Sequence, residues 1–168
     1  MRVSRRGAAA RRLYCKETAA GASAAPGRPS RTTPPMHDLT PGRLDAFLAR
    51  FRHGEGGRLR GVEARTGRGG LAVLAFTLEL PDAEDGDDPA TVRLELGGVA
   101  EMRLQVRPTE DPTELADGLT IGRFNDLYYV DLQPWTDQPS GVHDYRASSC
   151  YAAGFTLRWD LLDESEHP

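Results

Sequence analysis

The chain predicts an α+β fold: a mainly antiparallel sheet of about six to eight strands with one N-terminal amphipathic helix packed on one face. Three observations lead there. Apolar residues show helical spacing once, at Leu44, Phe47, Leu48 and Phe51. From Arg60 to Trp159 they alternate with a period of two. No second helical pattern separates the alternating segments, so strand should follow strand without crossover helices.

The helix opens at Thr40-Pro41, read as an N-cap followed by a proline at the first helical position. His53-Gly54 closes it, because glycine accepts the left-handed conformation that ends helices. Arg60 to Thr66 is charged and reads as an edge strand. A glycine-rich turn over 66–70 leads into a central strand, with Leu74, Phe76, Leu78 and Leu80 inward and Val73, Ala75, Thr77 and Glu79 outward. Pro81 to Pro89 is an acidic loop, expected to be solvated.

Val92, Leu94 and Leu96 alternate with Thr91, Arg93 and Glu95; after Gly97-Gly98, Met102, Leu104 and Val106 alternate with Glu101, Arg103 and Gln105. Read as a hairpin, a two-residue turn would set Leu94 opposite Glu101, mixing apolar and charged side chains on one face. A three-residue loop over 97–99, or a bulge, restores the match. A polar loop follows over 107–118. Leu119 to Phe124 and Leu127 to Leu132 are strands joined at Asn125-Asp126, and 134–144 is a long loop. Tyr151, Ala153, Phe155, Leu157 and Trp159 form the most regular apolar stripe of the chain, with Phe155 and Trp159 assigned to the core. Tyr128 and Tyr129 point to opposite faces, so a one-sided sheet would bury one of them. The acidic end from Asp160 to Pro168 should fray.

Charge divides the chain at Met36. Residues 1–35 hold eight basic side chains against Glu17, a balance of +7, while 36–168 hold 13 basic and 24 acidic residues, a balance of −11. The leader has few large apolar groups, Val3, Leu13 and Tyr14 among them, and should be disordered. Three origins fit its composition: a transit peptide, a basic nucleic-acid arm, or translated upstream sequence outside the native protein, with Met36 the true initiator. The last is favoured, since every basic residue after Met36 is arginine, the bias of a GC-rich genome. Residues 36–168 suit one acidic domain. The acidic balance disfavours nucleic-acid backbones and suits a basic protein partner. No apolar run is long enough for a membrane span. One thiol in the body, Cys150, fits a reducing cytoplasm.

No residue pattern predicts a metal or cofactor. With Gly86 at the sixth position of a calcium loop, the first, third and twelfth would be Pro81, Ala83 and Val92, which supply no side-chain ligands. His37-Asp38 and His143-Asp144 repeat a dipeptide but lack the spacing of a zinc site. His143, Asp144 and Cys150 are the residues that a small metal- or cysteine-dependent hydrolase would use. No glycine-flanked nucleophile elbow accompanies them.

Aromatic residues are unevenly placed: eight of twelve fall between Phe124 and Trp159. Trp135, Asp137, Asp144 and Tyr145 combine aromatic area with carboxylates on or beside a loop, the make-up of a partner-binding patch. An ordinary cluster closing the loop over the sheet would have the same composition.

The run Val92-Arg-Leu-Glu-Leu-Gly-Gly-Val-Ala-Glu-Met-Arg-Leu followed by Leu119-Thr-Ile-Gly resembles the sheet segment of small bacterial immunity proteins that accompany polymorphic toxins. The resemblance covers about a third of the body and is one of alternation. It implies a cytoplasmic, non-enzymatic protein that neutralises a basic toxin by direct binding; the region from Tyr128 to Trp159 has no counterpart in it.

Overall fold

The computed structural model describes residues 36–86, 88–105 and 113–162, all within one compact unit. The expected disorder of 1–35, the first half of the polar loop expected over 107–118, and the end of the acidic tail lie outside these residues; the second half of that loop opens with a short strand at 113–114. Eight strands are described: β1 His37–Asp38, β2 Arg58–Thr66, β3 Ala72–Pro81, β4 Pro89–Leu104, β5 Thr113–Glu114, β6 Thr120–Phe124, β7 Leu127–Asp131 and β8 Cys150–Leu161. They form one sheet in the order β5-β2-β3-β4-β8-β7-β6, with β1 also on β8, and every pairing is antiparallel. The predicted α+β class therefore holds. No described helix is long and apolar enough to cross a membrane.

The predicted helix is short. A 3-10 turn over Pro41–Arg43 leads into α1, Leu44–Arg50. Thr40 precedes Pro41 as expected, but its side chain caps nothing; its carbonyl accepts from Arg43 N–H at 2.9 Å. Arg52, His53 and Gly54 all take positive φ and end the helix. His53 carbonyl then accepts from Leu119 N–H at 2.6 Å. Leu44, Phe47, Leu48 and Phe51 bury against Leu74, Phe76, Leu78, Leu80, Val92, Leu94 and Leu96, so the helix covers one sheet face. Gly61–Thr66 of β2 pairs with β3 alone among the described residues, as an edge strand should.

The expected hairpin within 92–106 does not form. β4 runs unbroken for 16 residues. Its first part pairs with β3 up to Gly97, and β8 follows it from Val92 to Leu104. One extra residue is absorbed between Val99 and Glu101, opposite Gly154 and Ala153. Gly97-Gly98 lies inside the continuous strand, Gly98 at φ +62, just before the bulge. The mismatch expected between the two halves of 92–106 does not arise, because they never pair with each other.

The same crossing overturns the single stripe of β8. Leu157 and Trp159 face α1, but upstream Cys150 and Ala152 belong to that core, while Tyr151 and Ala153 enter a second cluster. Phe155 is 59% exposed and belongs to neither core. Asp160 and Leu161, expected to fray, continue β8.

A second helix, α2 Val142–Ala147, occupies part of the expected long loop. Its Tyr145 packs with Tyr129 and Tyr151. Tyr128 and Val130 serve the first core and Tyr129 the second, so both tyrosines are buried on a sheet covered on both sides. Asn125 and Asp126, both at positive φ, make the tight turn between β6 and β7.

A Cβ on Gly154 would lie 2.8 Å from Leu96 Cγ and 2.9 Å from the Gly97 carbonyl oxygen. Gly154→Ala should therefore destabilise the fold by about 1–3 kcal/mol, as overpacking does. Urea unfolding of the two proteins measures it, and equal midpoints would remove the crossing from its central place.

Candidate binding surfaces

Two regions concentrate functional chemistry. The first is the loop leading into α2. Asp144 is buried, and its Oδ2 accepts from Ser140 N–H at 2.7 Å, Ser140 Oγ–H at 3.0 Å and Gly141 N–H at 3.3 Å. These donors, the Ser140 amide foremost, hold its carboxyl below the ordinary range. Tyr145 is 1% exposed, with its ring centroid 5.1 Å from that of Tyr129. Burial pushes its phenol up to about 12. Both residues are thus spent on holding the loop and helix.

Trp135 and Asp137 differ: both are exposed, Trp135 at 65%. The indole is nevertheless fixed, since Nε1–H donates to the Asp144 carbonyl at 3.1 Å. Of the four predicted residues, the fold offers two to solvent and uses two as their platform. The sequence could not separate them, because α2 was hidden in a stretch with too few apolar positions to show a helical period.

The hydrolase residues do not assemble. His143 is 77% exposed with Nε2 3.2 Å from Asp144 Oδ1, and it makes no hydrogen bond to Cys150 among the described residues. Cys150 is buried in the first core, and burial, with the nearby charge of Asp131, pushes its thiol up to about 11. A nucleophilic thiol needs the opposite environment. Asp131 is itself buried, accepting from Ser148 Oγ–H at 2.6 Å and Gln133 N–H at 2.9 Å. Ser148 Oγ in turn accepts from Cys150 N–H at 3.0 Å, tying the start of β8 to the end of β7. No three His, Cys, Asp or Glu side chains among the described residues are grouped to hold a metal.

The second region lies where α1, β1 and the end of β8 meet the acidic loop. That loop is not wholly solvated. Asp82 is 2% exposed and takes both forks of Arg50, at 3.0 Å from Nε and 2.6 Å from the terminal nitrogen. It also accepts from Glu84 N–H at 3.0 Å, which shapes the 3-10 turn over Ala83–Asp85. Glu84 reaches Arg50 from the outside at 2.8 Å. The Arg50 guanidinium lies 5.2 Å from the Phe51 ring and 5.6 Å from the Trp159 ring. Trp159 meets Phe47 and Phe51 edge-on at 5.3 and 5.6 Å and has His37 at 5.5 Å. The sequence placed Trp159 in the core and left Arg50 unremarked; nothing local to the helix shows that Arg50 reaches a residue 32 positions away.

No protein-family model, curated protein or solved structure matches this chain.

Two tests follow from the geometry. The Arg50 guanidinium depresses the carboxyl of Asp82 in the folded state, against the upward pull of burial. Its contribution is complete above about pH 4, the value in an unfolded chain, and is lost as pH falls through the depressed folded value. Asp82→Asn should lower stability near neutrality and flatten the acid limb of a stability profile measured by denaturant melts; an unchanged limb would contradict the pairing. Native Cys150 should resist a thiol reagent at neutral pH and react once the chain is unfolded in denaturant. Fast labelling of the folded protein would revive a cysteine nucleophile.

Proposed function

We propose that this chain is a non-enzymatic cytoplasmic binding protein that captures a basic protein partner by direct contact, as an immunity protein neutralises a toxin. Trp135 carries the reading. It is a large aromatic left mostly in solvent yet anchored through its indole N–H, so little ordering cost remains to be met on binding. Trp is also the residue type most enriched at energetic centres of interfaces. Asp137 stands exposed two positions away. The −11 balance of residues 36–168 would accelerate encounter with a basic partner. The Asp144 carbonyl holds the indole, and buried Tyr145 anchors the helix that carries it. The hydrolase alternative, built on His143, Asp144 and Cys150, is disfavoured by a buried thiol whose proton is held more tightly than usual.

Trp135→Ala should abolish capture of the partner from native lysate while moving the melting temperature by no more than about 3 °C, since mainly one hydrogen bond is lost. Asp137→Lys should slow association and reduce its sensitivity to salt. A Trp135→Ala protein that melts early yet captures normally would make Trp135 a loop clasp and end the proposal.

A further inference from the structure

A second surface carries its own chemistry, separate from Trp135. Between α1, β1 and β8 lies a cleft of 480 Å³, a size that suits a small molecule. Phe47 and Trp159 line it as aromatic walls, with Ala46 and Arg43 on the helix side and His37 on the β1 side.

We infer that this cleft binds a small planar aromatic carrying a carboxylate. Trp159 supplies the aromatic contact. Phe47 and Phe51 meet it edge-on, which holds its plane in place, and it remains partly exposed at the cleft. A planar ligand gains from aromatic contact with the part of the ring left open, beside His37 and the Arg50 guanidinium that already lie against it.

The carboxylate half is local charge. The body is strongly acidic, yet this cleft is lined by two arginines and one carboxylate, Glu84. Arg50 is committed to Asp82 and Glu84. Arg43 is exposed on the cleft wall and has no ion-pair partner among the described residues, so its donor fork is available to an anion. Among the described residues of the loop, Asp85 and Asp88 line a neighbouring hollow on the far side of Arg50 and do not line the cleft. A cationic ring would meet Arg43 with repulsion, and a neutral ring would leave it unused. The Asp82 fork also keeps Arg50 from moving into the space, so the cleft is formed before the ligand arrives.

The chain has two tryptophans, so isotopically labelled full-length protein shows two indole N–H signals, with Trp135 as internal control. Three probes sharing one ring separate the charge classes: indoleacetate, neutral indole and cationic tryptamine. Indoleacetate should move the Trp159 signal saturably and leave Trp135 in place, with tryptamine binding about two- to fivefold more weakly, the factor one exposed ion pair supplies. Arg43→Glu should invert that order. Ala46→Phe, at an exposed helical position, should fill the cleft and abolish binding of all three while the remaining spectrum shows the fold intact. The inference fails if no probe moves Trp159 saturably, if tryptamine binds as well as indoleacetate, if Ala46→Phe leaves binding unchanged, or if Trp135 responds in place of Trp159. Capture of a protein through Trp135 is read by a different residue, so either result stands without the other.

Discussion

β4 and β8 remain paired from Val92 with Leu161 to Leu104 with Cys150 through one extra residue, and both cores depend on that crossing. Before the bulge, Val92, Leu94 and Leu96 of β4 bury beneath α1 together with Leu157 and Trp159 of β8. Beyond it the inward parity of β8 changes, and Tyr151 and Ala153 face a second cluster. Three glycines make the close approach possible: a Cβ at Gly97 would lie 2.4 Å from Thr156 Oγ1, and one at Gly98 2.9 Å from the Phe155 ring. Phe155 lies exposed over that glycine backbone, which accounts for a large apolar side chain outside both cores.

The second core lets a six-residue helix persist. Isolated helices of that length are unstable in water, because nucleation costs more than so few hydrogen bonds return. Burial of Tyr145 supplies the missing stabilisation, and Asp144 satisfies the free amides at its start. The far end is held from β4: Arg103 donates to the carbonyls of Arg146 and Ser148 at 2.9 and 3.1 Å, and Glu101 pairs with Arg146. The part of β4 beyond the bulge thus positions α2, and α2 positions Trp135.

Charge is organised as well as abundant. Glu95, fully buried on the sheet face away from α1, lies between Arg65 and Arg158 from strands on either side. Arg93 pairs with Glu63 at 2.7 Å on the same face. These charges come from β2, β4 and β8, and opposite-charge pairs across a sheet favour one register over its neighbours. On the other face, Arg50 and Asp82 link α1 to the acidic loop. The loop is acidic in composition, but its first carboxylate serves as a structural ligand for an arginine.

The elements that could be read from sequence are those whose signal is local. Leu44, Phe47, Leu48 and Phe51 define one helical face by spacing alone. Leu74, Phe76, Leu78 and Leu80 alternate cleanly because β3 pairs with β4 in one unbroken register and is covered on one side by α1. Asn125-Asp126 marks its turn because those residue types tolerate positive φ. What the tertiary structure decided are the points where one local pattern admits two long-range outcomes. Gly97-Gly98 permits either a reversal or a continuous strand, and the choice fell to β8, which continues alongside. The stripe from Tyr151 to Trp159 is regular in sequence, yet its inward face depends on the register across that bulge. Asp82, Asp144 and Tyr145 look like surface residues in a list of polar loop positions; Asp82 and Tyr145 are buried because Arg50 and Tyr129 arrive from elsewhere in the chain, and Asp144 because its own loop folds the Ser140 and Gly141 amides onto it. Periodicity reports which side chains share a face, whereas burial is set by what packs against that face, and only the folded chain brings those partners together.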